Sequence, residues 1–307
     1  MTHAALPADI AVFERGWLSS NNILIQGRQG TALVDSGYAS HAPQTVALVR
    51  AALGDRPLDQ LVNTHLHSDH CGGNAALQAA WPALRTAIPP GLAEHVRHWD
   101  AEALTYAPTG QHCPPFGFDE LLQPGTEIRL GDRLWQVHAA PGHDTHSVIL
   151  YEAASRILIS ADALWERGFG VVFPELEGDD AFDELGETID LIEALAPALV
   201  IPGHGRLFTD VPAAIAIARA RLQGFVADPS RHTRHAAKVL LKFKLLELQQ
   251  LPLDDFVQWA NATPYFHVMA RSQRGAGEVT AWIGELVDEL VRSGAAGVHE
   301  GVIINAG

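Results

Sequence analysis

Residues 63–74 read NTHLHSDHCGGN and place three histidines and an aspartate within six positions. The preceding run LDQLV is apolar and predicts a buried strand that leads into a polar turn. Side chains two residues apart on a strand point to the same side, so His65 and His67 can bind one ion together. Asp69 and His70 fall where the chain turns into a helix that begins near CGGN. They can face the same cavity from another direction.

Three later segments share one pattern, an apolar strand followed by a side chain that can bind a metal. They are VHAAPGHDTHS with His143, ILISADAL with Asp162 and LVIPGHG with His204. A single histidine after a strand is more often a hydrogen-bonded structural residue. One dense cluster with three further candidates at strand ends, where scaffolds often present functional groups, favours a metal site. Histidines with carboxylates suit Zn²⁺, while iron or manganese is chemically acceptable.

The composition limits the class of protein. With 307 residues, 47% of them hydrophobic, the chain can bury a large core as one big domain or as one domain plus a smaller one. Its formal charge of -15 argues against general nucleic-acid binding. Two cysteines, no signal-peptide pattern and no apolar run of membrane-spanning length predict a cytoplasmic protein without a membrane anchor.

The pattern of apolar and polar residues changes near residue 210. Residues 1–210 alternate short apolar runs with helical patterns, which predicts a layered α/β domain. Residues 211–307 are mainly helical in pattern, and the final GVHEGVIIN predicts a short strand or hairpin. We therefore expect a catalytic domain over 1–210 and a helical C-terminal module over 211–307.

The segments THLHSDH, PGH, SADAL and IPGHG together resemble the metallo-β-lactamase superfamily, with its HxHxDH signature and later His, Asp and His in the expected order. The resemblance covers roughly residues 10 to 208. It implies an αββα sandwich, in which two mixed sheets lie face to face with helices outside and the site at one edge. The C-terminal module resembles the winged-helix-like tail of some members.

The same resemblance implies a dinuclear site. His65, His67 and His143 would bind the first metal, Asp69, His70 and His204 would bind the second, and Asp162 would bridge them. Two zinc ions are expected. A metal-bridged hydroxide would then attack a small ester, thioester or phosphoester, so the chain is predicted to be a metal-dependent hydrolase.

Three further residues have predicted roles beside the ligands. Asp69 is expected to orient the hydroxide and relay its proton, in addition to binding metal. His146 either donates to a substrate oxyanion or braces a ligand. Asp35 supports the ligand loop from behind in look-alikes. Cys71 is expected to be a packed thiol, because the cluster already offers enough ligand atoms.

Two other functions stay open on the sequence alone. Sulfur (persulfide) dioxygenases with a single iron use a subset of the same ligands, although His70 and His204 complete a second metal set here. A nuclease branch carries a winged-helix-like tail, although the acidic charge argues against it. Among thioesterases, the glyoxalase II type is one candidate.

Substrate recognition is predicted from two regions. Aromatic residues of the segment 96–120 and of the stretch after Asp162 could form an apolar wall of the substrate site; they are Trp99, Tyr106, Phe116, Phe118, Trp165 and Phe169. The alternative is ordinary packing of the 96–120 loop against the helical tail. The stretch 231–244 predicts a solvated helix or, less favoured, a basic rim for an anionic small molecule; its charged residues are Arg231, Arg234, Lys238, Lys242 and Lys244. A homo-oligomer formed through the C-terminal module is left open.

Overall fold

The first layer of the protein is a six-stranded sheet. The computed structural model describes residues 6–274 and 278–306. The sheet has its strands in chain order, and they are β1 (Ile10–Phe13), β2 (Asn22–Gln26), β3 (Thr31–Val34), β4 (Gln60–Val62), β5 (Arg85–Ile88) and β6 (Glu120–Leu121). Strands β1 to β3 pair antiparallel and β3 to β6 pair parallel. Its helices are α1 (Ala42–Leu53), α2 (Ser68–Cys71), α3 (Asn74–Ala80) and α4 (Ala93–His98).

The second layer is a five-stranded sheet in the order β11-β10-β9-β8-β7. Its strands are β7 (Glu127–Leu130), β8 (Arg133–Ala139), β9 (Val148–Glu152), β10 (Ile157–Ala161) and β11 (Leu199–Pro202). Two helices lie between β10 and β11, namely α5 (Phe173–Glu177) and α6 (Ala181–Leu195). Strands β7 to β10 are antiparallel neighbours, and β10 pairs parallel with β11. The carboxyl ends of β8, β10 and β11 therefore lie at one edge.

Alternation along the strands explains why helices cover only the outer faces. Leu24 and Leu33 belong to a cluster with side chains of α1 and α3. Their neighbours Ile23 and Val34 belong to the cluster between the two sheets, which includes the fully buried Trp135. Because successive side chains of a strand point to opposite faces, each sheet buries one face against helices and the other against its partner. The predicted αββα sandwich is confirmed.

The chain after the second sheet consists mainly of helices. They are α7 (Val211–Ala227), α8 (Pro229–Leu248), α9 (Leu253–Ala262), α10 (Pro264–Arg274) and α11 (Val279–Arg292). A small antiparallel sheet accompanies them, with strands β12 (Gln250–Pro252), β13 (Ala296–His299) and β14 (Val302–Asn305). The predicted terminal hairpin is β13–β14. None of the helices in the described ranges is long and apolar enough to cross a membrane.

Two hydrophobic cores divide this C-terminal part. Helix α7 packs on α6, and its Ile215 and Leu222 belong to the outer core of the second sheet. Helices α8 to α11 form a separate core with β13 and β14, centred on residues such as Phe256 and Phe266. The boundary at residue 210 and the winged-helix-like character stay predictions.

The segment 96–120 packs inward instead of forming an aromatic wall. Tyr106 and Phe116 are buried in a cluster with Cys71 and Val96, and Trp99 packs against it. The expectation of a cavity wall from Trp99, Tyr106, Phe116 and Phe118 is therefore wrong. The alternative, packing of this loop on the helical tail, is confirmed where the carbonyl of Pro108 accepts from the backbone N–H of Tyr265 at 3.1 Å and Gly110 lies beside Trp259. The aromatic rings of the loop fill the space between α2, β5 and α4. As expected, Cys71 is a packed thiol, 3.8 Å from the sulfur of Cys113.

Candidate metal centre

The seven predicted ligands come together at one edge of the sandwich. His65 and His67 lie in the turn after β4, and Asp69 and His70 lie in α2. The other three follow the carboxyl ends of strands of the second sheet; they are His143 after β8, Asp162 after β10 and His204 after β11. Both sheets thus contribute side chains to one site.

Three imidazole rings form the first group. His67 Nδ1 lies 3.1 Å from His65 Nε2 and 2.9 Å from His143 Nε2. The second group contains Asp69, His70, Asp162 and His204, and in each group the potential ligand atoms lie within 4.8 Å of one another. Such convergence of imidazole and carboxylate atoms is typical of sites for divalent transition metals.

Asp162 lies between the two groups. Its Oδ2 is 3.5 Å from His143 Nε2 of the first group and 3.5 Å from His70 Nε2 of the second. It is also 3.7 Å from His204 Nε2. One carboxylate oxygen thus faces ligand atoms of both groups, which is the arrangement that a bridging ligand needs. The ligand roles themselves stay predictions.

Each of three imidazole rings is oriented through its second nitrogen. Nδ1 of His143 donates to the carbonyl of Val171 at 2.5 Å, and Nδ1 of His204 donates to the carbonyl of Gly16 at 3.1 Å. Nδ1 of His70 is 2.8 Å from Oδ2 of Asp35. A partner on the far nitrogen fixes the tautomer, so that Nε2 presents its lone pair to the site.

Asp35 braces the ligand loop, as the resemblance implies. Its carboxylate accepts from the backbone N–H of Thr64 at 2.9 Å and from the Thr64 hydroxyl at 2.8 Å, in addition to contacting His70. The backbone of Asp35 has a φ of 58°, a conformation that aspartate and asparagine adopt more readily than most residues. A buried carboxylate with three partners holds the turn rigidly.

Burial sets the protonation of the first group. It lowers the pKa of His65 well below its usual value, and the neighbouring His70 and His67 lower it further. Burial also lowers the pKa of His143 to about 4, with His67 acting in the same direction. These two rings are therefore neutral at physiological pH, which is the form that binds metals.

Opposite charges balance each other in the second group. Burial opposes protonation of His70, but the carboxylates of Asp162 and Asp35 outweigh it and raise the pKa of His70 well above its usual value. Burial raises the pKa of Asp162, but His204 and His70 lower it more, to well below the usual range. The site thus concentrates carboxylates and imidazoles that exchange protons for a cation when metal binds.

Two observations test whether a metal fits these residues. Nε2 of His70 is buried and makes no hydrogen bond, although buried nitrogens normally find partners. Gly203 lies so close to the centre that a Cβ there would stand 2.2 Å from Asp162 Oδ1. The backbone therefore approaches the ligands as closely as glycine permits, and the unpaired nitrogen faces a carboxylate. The donor set fits a divalent ion.

The centre opens into a cavity of 700 Å³. His146 lines it, and so do Trp165 and Phe169, which agrees with the wall predicted for the residues after Asp162. The ring of His146 packs against Gly91, where a Cβ would lie 2.2 Å from the ring. The backbone N–H of His146 donates to Asp144 Oδ1 at 2.7 Å.

Sequence reasoning missed two aromatic residues at the centre. Trp17 stacks on His204 with ring centroids 5.6 Å apart, and Phe173 meets His67 edge to face at 5.0 Å. Neither residue lies near a metal-ligand pattern in the sequence. Trp17 follows a glycine, and Phe173 lies in an apolar run that forms no strand. Neither context distinguishes these two rings from ordinary core residues in the sequence.

The charged residues of α8 are mostly engaged within the module. Arg234 and Lys238 both pair with Glu289, and Lys244 pairs with Glu247. Hydrogen bonds to Arg234, and then to Lys238, lower the pKa of Glu289 to about 2. These contacts favour the solvated-helix interpretation over a basic rim.

Comparisons with known proteins agree with this geometry. The family model described as the metallo-β-lactamase superfamily matches residues 15–204. The acyl-coenzyme A thioesterase MBLAC2 of Gallus gallus is 28% identical over 213 residues, which is 64% of this chain and 76% of that protein. A hydroxyacylglutathione hydrolase of Mesorhizobium japonicum is 29% identical over 143 residues, 47% of this chain and 46% of that protein.

Solved structures share the fold over nearly the whole chain. A metallo-β-lactamase family protein from Thermus thermophilus matches with a TM-score of 0.60 and 18% identity, covering 98% of this chain and 100% of that one. A β-lactamase domain protein from Burkholderia ambifaria matches with a TM-score of 0.59 and 21% identity, covering 98% and 94%. These two matches extend the similarity in fold into the C-terminal helices.

Proposed function

The chain belongs to the metallo-β-lactamase superfamily, and from that membership we propose that it is a dinuclear, metal-dependent thioester hydrolase. One observation carries the proposal: Asp162 Oδ2 lies between two complete groups of potential ligands. The relatives named as an acyl-coenzyme A thioesterase and a hydroxyacylglutathione hydrolase support the thioester as the substrate bond.

Seven residues would hold the metal ions. His65, His67 and His143 would hold the first and Asp69, His70 and His204 the second, with Asp162 shared, and zinc is the proposed metal. Bound there, divalent ions supply a water of lowered pKa and polarise the substrate carbonyl. No serine or cysteine nucleophile is required, which agrees with the inward packing of Cys71 and Cys113.

The protein's own groups supply proton transfer and orientation. Asp69 is half-buried, lines the cavity and lies 3.1 Å from His204 Nε2, so its carboxylate can accept the proton of the attacking water. His146 lies on the cavity wall, where its ring can donate to the oxygen that becomes negative as the carbonyl is attacked. The stacked ring of Trp17 and the edge of Phe173 cover one side each of His204 and His67.

The cavity mouth suits a thiol carrier that bears negative charge. Arg167 and Arg206 are exposed and line the cavity close to Asp162 and His204 in the chain. Their guanidinium groups can pair with phosphate or carboxylate groups of the leaving thiol. Coenzyme A and glutathione both carry such groups.

The test combines elemental analysis with a hydrolysis assay. We expect close to two zinc ions per chain, and thiol release from coenzyme A or glutathione thioesters that stops on chelation and returns with added zinc. A single iron per chain with oxygen uptake on a persulfide would instead support the dioxygenase. A protein that holds two ions but hydrolyses no thioester would contradict the proposal.

A further inference from the structure

The cavity is longer than the metal centre requires, because α8 forms much of its far side. His235, Val239, Phe243 and Leu246 line it. Their spacing of three and four residues places them on one face of the helix. The stripe spans about 16 Å, at 1.5 Å per residue. A cavity of this shape extends from the reacting centre along a helix that contributes no metal ligand.

An apolar path joins the centre to this stripe. Phe173 contacts the rings of His67 and His143 at 5.0 and 5.8 Å between centroids. On its other side it contacts Tyr265 of α10 at 5.9 Å, and Tyr265 also lines the cavity. The hydroxyl of Tyr265 donates to Glu177 at 2.6 Å, so the phenol is already satisfied. The aromatic rings thus provide continuous apolar contact away from the metal centre.

The two lysines on this part of α8 do not interrupt the apolar surface. Lys238 Nζ lies 3.0 Å from Glu289 Oε2, and Lys242 Nζ donates to the carbonyl of Ala295 at 2.7 Å. Both charged ends are held by α11 and the residues that follow it. With both ammonium groups engaged by partners, the aliphatic stems can contribute apolar surface to the cavity, as is common for lysine.

From this continuity we propose that the cavity binds the acyl chain of a medium- or long-chain thioester, lying along α8 with its carbonyl at the metal centre. The inference rests on the proposed thioesterase function and adds the acyl portion of the substrate to it. Because the cavity is continuous with the centre, its occupant is part of the substrate. Val239, Phe243 and Leu246 would then determine specificity for chain length without touching the reacting atoms.

The first test is a chain-length series with the full, metal-loaded protein. Acetyl, hexanoyl and dodecanoyl thioesters of coenzyme A share one leaving group, so differences in kcat/KM report on the acyl chain. Each buried methylene is expected to raise kcat/KM by about fourfold until the cavity is filled. A flat profile, with dodecanoyl no better than acetyl, would overturn the acyl site while leaving the hydrolase intact.

The second test blocks the stripe. Val239→Trp should lower the ratio of dodecanoyl to acetyl kcat/KM by at least about tenfold, because the indole displaces several methylenes. Leu246→Trp serves as a second blocking variant in case the first does not fold. The matched control is Val226→Trp, since Val226 is exposed on α7 and does not line the cavity. An unchanged ratio in both folded variants would refute the proposal.

A binding measurement separates the two proposals. Calorimetry with the S-dodecyl thioether of coenzyme A, which cannot be hydrolysed, reads the acyl site without turnover. We expect at least about tenfold weaker binding to Val239→Trp than to the wild type and to Val226→Trp. If every thioester resists hydrolysis while this difference persists, the hydrolase proposal fails and the acyl site stands. Equal binding to all three proteins would refute the acyl site.

Discussion

The metal centre and the α8 wall of the cavity are held in place by different kinds of interaction. At the centre, each oriented imidazole has a second hydrogen-bond partner, such as Val171 for His143 and Gly16 for His204. Along α8 the cavity is lined by Val239, Phe243 and Leu246, while the charged ends of Lys238 and Lys242 have partners of their own. Directional hydrogen bonds fix the position of each ligand atom at the centre, whereas apolar packing along α8 fixes only the shape of the cavity. In the proposed function, the reaction and the choice of substrate would thus rest on separate elements.

The largest effect should follow removal of a proposed ligand. His143→Ala deletes the imidazole that joins the first group to Asp162, so hydrolysis should fall by more than about a hundredfold, beyond the usual cost of losing a partner behind a ligand. Metal per chain should fall as well. Steady-state kinetics and elemental analysis measure both quantities.

The control for that substitution is His95→Ala, at a half-exposed position on α4 outside the cavity. It should keep both activity and metal content. A His143→Ala protein with wild-type turnover would remove His143 from the proposed ligand set.

A smaller effect is expected behind the ligands. Asp35→Asn keeps the shape of the side chain and tolerates the positive φ, but its single oxygen cannot accept both from the backbone N–H of Thr64, which Oδ1 does, and from His70, which Oδ2 does. Metal affinity should weaken by roughly ten- to a hundredfold. Competition with a chromophoric chelator measures it. Unchanged affinity would mean that Asp35 only supports the fold.

The smallest effect concerns the seam between α8 and the second sheet. His232 of α8 accepts from the backbone N–H of Val172 at 3.1 Å and packs against Phe182 and Phe225. Burial, and then the charge of Arg221, lowers the pKa of His232 to about 4. The folded state therefore prefers the neutral ring. Its contribution is fully present above about pH 6.5 and is lost as the pH falls towards 4.

Between pH 7 and pH 5 this titration should lower the free energy of unfolding by at most about 2 kcal/mol. Urea unfolding at both pH values measures the loss in the wild type and in His232→Gln, which cannot titrate. The variant should lack this part of the pH dependence. His235, whose pKa burial and then Arg221 lower to about 3, titrates in both proteins. Identical pH dependence would exclude His232 as the source.

The difference between the two regions also decides what the sequence can predict. The proposed ligands follow apolar runs that form strands in the structure. Each can therefore be recognised in the sequence as a polar side chain at the end of a strand. The strands β4, β8, β10 and β11 were predicted for the same reason. Helix α10 and the short strands β1, β5 and β6 were not, and the strands are too brief to carry a clear apolar pattern.

Residues that act through long-range packing were missed or assigned wrongly. Trp17 lies far in the chain from His204, on which it stacks, and nothing local marks that contact. Tyr106 and Phe116 looked like wall residues because their segment is irregular and aromatic, yet they fill an interior cluster. An aromatic ring has the same signature in a sequence whether it faces a cavity or a core.

The contribution of both sheets to one site has a thermodynamic consequence. In the proposed assignment, His65 and His67 come from the first sheet and His143 and His204 from the second. An ion held by all of them is a cross-link between the halves of the sandwich. It binds the folded chain and not the unfolded one, so the melting temperature rises with the concentration of free metal. A chelator would therefore destabilise the folded protein as a denaturant does, and the folded fraction would depend on the concentration of free metal.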